Sequence, residues 1–171
     1  MKEKSFPMAP MTRSILVMTM VLWLIPAAFL AQYLFLGQPV LLYVGWFVLF
    51  LYAAIWLFWR PSRFVLSDRG LRIVFPCWSR TIHRSTLHKA ELLDVAAFKK
   101  RFGTAMRIGA GGLWGGFGWL WTTRGGMIEF YVSRFDTLVL VERTDRKSIL
   151  ITPADPEAFA AALNGMVEPS S

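Results

Sequence analysis

Apolar residues are concentrated near the start of the chain. No Asp, Glu, Lys or Arg occurs in the 46 residues from Ser14 to Trp59. A helix needs about 20 apolar residues to cross the hydrocarbon core of a bilayer, so this run is long enough for two spans. The turn-forming residues Gly37-Gln38-Pro39 interrupt it. The pattern therefore predicts a transmembrane helical hairpin over residues 14–59, with spans at residues 14–36 and 40–59.

Two alternatives to a membrane hairpin are a buried hairpin in a soluble core and a cleaved signal peptide. Helices of soluble proteins carry polar residues every few positions, and these segments do not. The apolar core of a signal peptide is about 7–15 residues long, which is shorter than the first span. The membrane hairpin is the interpretation that fits the pattern best.

The charges that flank the hairpin predict its orientation. Lys2, Lys4 and Arg13 precede the first span, Arg60 and Arg63 follow the second, and the turn between the spans carries no charge. Positive residues stay on the cytoplasmic side of a membrane. We therefore expect residues 1–13 to form a cytoplasmic tail, and both termini of this multi-pass protein to be cytoplasmic.

From residue 60 the pattern changes to short segments separated by turns. Asp68-Arg69-Gly70 and Arg124-Gly125-Gly126 are each flanked by apolar or alternating runs, which is typical of β-hairpins. Phe159, Ala162, Leu163 and Met166 recur at helical spacing. Residues 60–166 are therefore predicted to form an α+β domain of seven or eight antiparallel strands and one C-terminal helix. Residues 167–171 are predicted to be a disordered tail.

The second half of this domain carries a recognisable order of features. A Gly-rich segment follows Arg107, a strand bears Tyr131, an apolar strand covers residues 138–141, and a final strand runs into Pro153-Ala154-Asp155-Pro156-Glu157-Ala158-Phe159. Residues 107–163 thereby resemble the bacterial pleckstrin-homology-like (PH-like) domain family of membrane-anchored, mostly uncharacterised proteins. The resemblance implies the PH-like fold and a place in the bacterial inner membrane. It brings no catalytic residues with it.

The composition offers little material for catalysis. Charged residues make up 18% of the chain, against about 25% in ordinary soluble domains. Cys77 is the single cysteine, and His83 and His88, five positions apart, would face opposite sides of one strand. We therefore predict no enzyme, no catalytic residue, no metal site and no cofactor. No nucleic-acid recognition motif is visible, so nucleic acid is not an expected partner.

Two groups of residues are candidates for contact with the membrane. Residues 60–107 carry 11 basic and three acidic residues, whereas residues 108–171 carry five basic and seven acidic ones. Basic residues near a bilayer attract anionic lipids, and aromatic side chains favour the interface. The predicted lipid-headgroup ligands are Lys99, Lys100, Arg101 and Arg107. The predicted membrane-interface contacts are Trp114, Phe117 and Trp119. Alternatively, the neighbouring glycines serve only tight turns or bulges in a crowded strand.

The sequence thus predicts a non-catalytic, membrane-anchored binding or scaffold protein. Its PH-like domain would lie against the inner leaflet, with anionic membrane lipids as the expected partners. The alternatives are a protein-interaction or self-assembly module, as a homo-oligomer or with a membrane-protein partner, and an accessory subunit of a membrane complex. Unpaired strand edges would serve such assembly.

Overall fold

The computed structural model describes residues 3–144 and 147–167, so the predicted tail at 167–171 lies outside the described residues except for Val167. Two long helices form the hairpin: α1 (Arg13–Leu36) and α2 (Pro39–Ala54), which a π-helical segment (Ile55–Trp59) continues. They match the predicted spans to within one residue. Gly37 ends α1 in the left-handed conformation and donates its N–H to the Tyr33 carbonyl, and Pro39 begins α2.

The surface of this hairpin is apolar and largely uncovered by protein. The helices approach closely at Gly45, where an added Cβ would lie 3.0 Å from Leu30. Away from that contact, side chains such as Leu34 and Phe35 are exposed. By length and composition, both helices are able to cross a membrane.

A four-stranded antiparallel sheet brackets the hairpin in sequence. Its strand order is β1-β2-β3-β4. The strands are β1 (Lys4–Pro7), β2 (Arg63–Ser67), β3 (Gly70–Val74) and β4 (Ser79–His83). Part of the predicted N-terminal tail is therefore a strand, since β1 pairs with β2, with Phe6 opposite Phe64. The chain leaves this sheet into α1 and returns from α2 to the neighbouring strand.

A six-stranded sheet and two helices complete the domain. The sheet has the order β5-β9-β10-β8-β7-β6. Its strands and the two helices are β5 (Leu87–Leu93), α3 (Val95–Phe102), β6 (Ala105–Gly111), β7 (Gly116–Thr122), β8 (Gly126–Val132), β9 (Leu138–Arg143), β10 (Ile149–Ile151) and α4 (Pro156–Val167).

The structure differs from the predicted domain in three respects: the number of strands, the direction of one strand pair and the number of helices. The described residues contain nine strands after the hairpin and β1 before it. One neighbouring pair, β10 and β8, is parallel. A second helix, α3, follows β5, because the Asp94 carboxylate caps it by accepting the Ala97 N–H at 2.6 Å. The predicted C-terminal helix is confirmed as α4.

The six-stranded sheet is covered on both faces over its centre. One face packs against the four-stranded sheet and α4 in a first core that includes Phe64, Phe117 and Phe159. The other packs against Phe98 and Phe102 of α3 in a second core. Strand β6 lies at the edge of the sheet; its Ala110 packs against the first core, but most of its residues are exposed.

Candidate functional site

The glycine-rich turn between β6 and β7, residues 112–115, docks on α1. The Thr19 hydroxyl lies 3.0 Å from the Gly112 carbonyl and accepts the Trp114 N–H, also at 3.0 Å. Thr19 is six residues from the start of α1, about 9 Å along the helix axis. The turn thus contacts the side of α1 past its first turn, within the predicted span.

Aromatic rings extend this contact to both helices. The Trp114 ring meets Trp56 edge-on, with centroids 4.8 Å apart, and also contacts Trp23 and Tyr52 at 6.4 and 6.3 Å. Trp114 has a φ of 58°, a conformation that bulky residues adopt only where the surroundings hold them. Trp114, predicted to contact the membrane interface, contacts the hairpin.

Two further contacts join the domain to the ends of the hairpin. In the π-helical segment that continues α2, the Phe58 carbonyl accepts the Trp78 indole N–H at 2.9 Å. Before α1, Ala9 donates its N–H to the Thr152 carbonyl at 2.9 Å, and its own carbonyl accepts the Ser133 hydroxyl at 2.7 Å. The hairpin is therefore attached to the domain at its entry, at its exit and along its side.

The β6–β7 hairpin exposes an apolar strip on the face that continues the first core. Met106 stands opposite Trp121, and Ile108 opposite Trp119. Met106, Trp121 and Trp119 are 62%, 57% and 46% exposed. Phe117 lies on the same face but is 1% exposed, because it sits under the four-stranded sheet. The expectation that Phe117 contacts the membrane is therefore corrected, whereas Trp119 is available for such a contact.

The four predicted headgroup ligands lie on the other face of this sheet. Lys99, Lys100 and Arg101 are on the last turn of α3, close to the start of β6. Arg101 pairs with Glu91 at 2.8 Å and with Glu142, and the Glu91 hydrogen bond is the main cause that raises the pKa of its guanidinium. The charge of Arg101 is thus shared with two carboxylates, while Lys99 and Lys100 are exposed.

Arg107 stands apart from this lysine pair. It lies on β6, and its guanidinium is 5.7 Å from the centre of the Phe130 ring. β6 spans about 20 Å from its start beside α3 to the turn that docks on α1. The four predicted basic residues therefore do not form one cluster. Three lie on α3 near the start of β6, and Arg107 lies further along β6 on the same face of the sheet.

The contacts that sequence reasoning missed are Thr19, Trp78 and the exposed strip of Met106, Ile108 and Trp121. Thr19 is one of the few hydroxyl-bearing residues in the first apolar run, and a hydroxyl in a span signals a specific hydrogen bond. The strip follows from strand alternation once the strand is placed at a sheet edge. Within residues 3–144 and 147–167, no group of three His, Cys, Asp or Glu residues is close enough to hold a metal ion.

Two strand sheets closed by a C-terminal helix define the class of this domain, which is PH-like. A family model described as the bacterial PH domain matches residues 62–167, and the chain belongs to that family. The resemblance inferred from residues 107–163 is thus confirmed. PH-like domains are generally non-catalytic binding modules. No curated protein and no solved structure matches the chain.

Proposed function

We propose that this chain is a non-catalytic binding module of the bacterial inner membrane, anchored by its helical hairpin, with the PH domain resting on the inner leaflet. The observation that carries the proposal is the docking of the β6–β7 turn on Thr19. A turn fixed about 9 Å along a spanning helix would lie at the membrane surface, at or just below the headgroups.

The paired strands on either side of the hairpin support the orientation. Because β1 pairs with β2, the chain before α1 and the chain after α2 lie together in one sheet. Two spanning helices would therefore leave both segments on the same side of the membrane. Arg13, Arg60 and Arg63 lie at that end, and the positive-inside rule makes that side the cytoplasm.

The β6 edge is the part of the domain best suited to contact the bilayer. With β6 lying along the surface, the rims of both sheet faces would reach the headgroup layer. One rim offers Met106, Ile108, Trp119 and Trp121, and aromatic rings favour that layer. The other offers Arg107, Lys99 and Lys100, and each basic residue near an anionic surface contributes about 1 kcal/mol.

Spin labels on the full chain in lipid nanodiscs test this arrangement. Cys77→Ser removes the native thiol, and a nitroxide is placed by Met106→Cys on the strip. The matched control is Ala161→Cys on the exposed side of α4, which packs beside β5 at the opposite sheet edge. We expect the label at 106 to be accessible to oxygen and shielded from a water-soluble nickel reagent, and the label at 161 to show the reverse. Equal accessibility at the two sites would refute membrane contact by β6.

A charge reversal tests whether anionic lipid helps to hold the β6 edge at the bilayer. Lys99→Glu with Lys100→Glu should draw the label at 106 out of phosphatidylglycerol discs and leave it unchanged in phosphatidylcholine discs. Lys89→Glu, at the opposite edge on β5, is the control and should have no effect. Identical behaviour of all variants in both lipids would contradict a role for the lysine pair.

Self-assembly through the same edge is the second candidate. Among the described strands, β7 is the only one hydrogen-bonded to β6, so the other side of β6 can accept a strand from a second copy. In that case labels at 106 in two copies would couple magnetically at short range, and the nickel shielding would depend on protein concentration. A bilayer contact predicts shielding that is independent of concentration.

A further inference from the structure

An apolar groove runs along the outer face of the six-stranded sheet, between α3 and β6. Its volume is about 210 Å³. Val95 and Phe98 form one wall, Leu120 and Phe130 form the floor, and Phe135 closes one end. Among the described lining residues Arg107 alone is charged. The groove therefore suits an apolar chain with an anionic group at one end.

The groove continues toward the membrane hairpin. A smaller cavity of about 110 Å³ shares Arg107 and Phe135 with it and is lined on its other side by Ser14, Ile15 and Met18 of α1. These are the first residues of the predicted first span. An apolar path thus leads from the surface of α1, past Arg107, into the second core region of the domain.

The Arg107 side chain is directed along this path. A Cβ added at Gly111 would lie 2.1 Å from Arg107 Nη1 and 3.0 Å from its Cδ. Residues 107 and 111 are four apart on β6 and share a face. The guanidinium therefore lies over Gly111, at the end of β6 that docks on α1, and the absence of a side chain there makes room for it.

We propose that this groove takes up one acyl chain of an anionic phospholipid drawn from the inner leaflet, with the lipid phosphate bound to Arg107. The proposal rests on the proposed function, because it needs the hairpin to stand in a bilayer. Burial of methylene groups in an apolar groove is favourable, and a guanidinium forms charge-assisted hydrogen bonds with phosphate. A peptide strand would fit poorly, since a lining this apolar cannot satisfy its backbone groups.

A photoreactive lipid tests the proposal on the full chain in nanodiscs. The probe is phosphatidylglycerol with a diazirine near the end of one acyl chain, at trace level, and adducts are mapped by mass spectrometry. We expect adducts on Phe98 and Phe130 as well as on α1 and α2. Adducts on α1 and α2 without any in the groove would overturn this inference and leave the membrane anchor intact. An absence of adducts on the two helices would instead refute the proposed function itself.

Two tryptophan variants separate filling the groove from general damage. Ala105 is exposed at the groove, whereas Ala161 is exposed on α4, at the opposite edge of the sheet. Ala105→Trp should abolish the groove adducts, whereas Ala161→Trp should retain them. Equal labelling in these two variants would place the lipid elsewhere.

Arg107→Gln tests the headgroup contact. Loss of one charge-assisted hydrogen bond should lower groove labelling by phosphatidylglycerol about tenfold. A phosphatidylcholine probe with the same chain should label the wild-type groove more weakly, because it carries the same phosphate but also a choline cation that is repelled by the guanidinium. An unchanged Arg107→Gln variant would overturn the assignment of the phosphate to Arg107, and equal labelling by the two lipids would overturn the preference for an anionic lipid.

Discussion

Thr19→Val removes the hydroxyl that joins the PH domain to α1 and keeps the shape of the side chain. The single Thr19 proton is shared between two carbonyls, those of Ile15 at 2.8 Å and Gly112 at 3.0 Å, and the oxygen accepts the Trp114 N–H. Thr19 is buried, so water does not readily replace its hydroxyl. In the valine variant the Trp114 N–H keeps its place against α1 but has no acceptor.

The magnitude is worked from the orphaned Trp114 N–H, and the loss of the Thr19 proton from the Gly112 carbonyl adds to it. A buried polar group left without a partner costs about 1–3 kcal/mol. We take the middle of that range, about 2 kcal/mol, as the weakening of the docked state. Because each 1.4 kcal/mol changes an equilibrium tenfold, the turn should undock about 30 times more often.

Amide hydrogen exchange of the full chain in nanodiscs measures this opening. The Trp114 amide should exchange about 30 times faster in Thr19→Val than in the wild type. Thr19→Ser retains the hydroxyl and should exchange at close to the wild-type rate, and amides of β9 should be unaffected in both variants. If the valine and serine variants exchange equally, the hydroxyl does not hold the turn and the docking argument is wrong.

Three further predictions concern the stability of the domain. Burial raises the pKa of Tyr131 to about 12, so the stability that its neutral form contributes is present below pH ~10 and lost between pH ~10 and ~12. The tyrosinate absorbance of the wild type minus that of Tyr131→Phe should titrate with a midpoint near 12, and a midpoint near 10 would contradict this prediction. Gly118 has a φ of 130°, and a Cβ added there would lie 2.5 Å from a carbonyl oxygen of β6. Gly118→Ala should therefore lower the free energy of unfolding by about 2 kcal/mol or more. The control Gly165→Ala, where an added Cβ meets open space on α4, should raise it by a few tenths to about 1 kcal/mol. The Asn164 amide pairs with both the N–H and the carbonyl of Ala90, at 2.8 and 3.0 Å, so Asn164→Ala should cost about 1–2 kcal/mol in denaturant unfolding; no change would show that water replaces the amide.

The parts of the fold that were predictable from the sequence are those set by local patterns. The absence of charge between Ser14 and Trp59 marked both helices, and Gly37 and Pro39 marked the turn between them. Strand β1 gave no comparable signal. It is four residues long, and its partner β2 lies beyond the whole hairpin, so only long-range pairing reveals it. The parallel pairing of β10 with β8 is non-local in the same way.

The candidate site was predictable in residue type but not in placement. Phe117 and Trp119 are two positions apart on one face of β7, and alternation alone cannot distinguish them. The four-stranded sheet covers Phe117 but leaves Trp119 exposed. This difference depends on tertiary packing, which the strand pattern does not contain. Likewise, Arg101 was grouped with its basic neighbours, yet carboxylates 10 and 41 residues away share its charge.

The three attachments between hairpin and domain make orientation the main property that this architecture provides. A PH domain on a flexible tether would sample many orientations, and each productive contact with the bilayer would cost ordering entropy. Here β1 fixes the entry to the hairpin, Trp78 contacts the exit, and Trp114 packs against both helices. The entropy of orientation is therefore lost once, on folding, and the proposed bilayer contacts at the β6 edge would act at high effective concentration. On this argument, the modest charge of Lys99, Lys100 and Arg107 would be sufficient for the proposed lipid contact, because these residues would need only to bind headgroups and not to recruit the domain to the membrane.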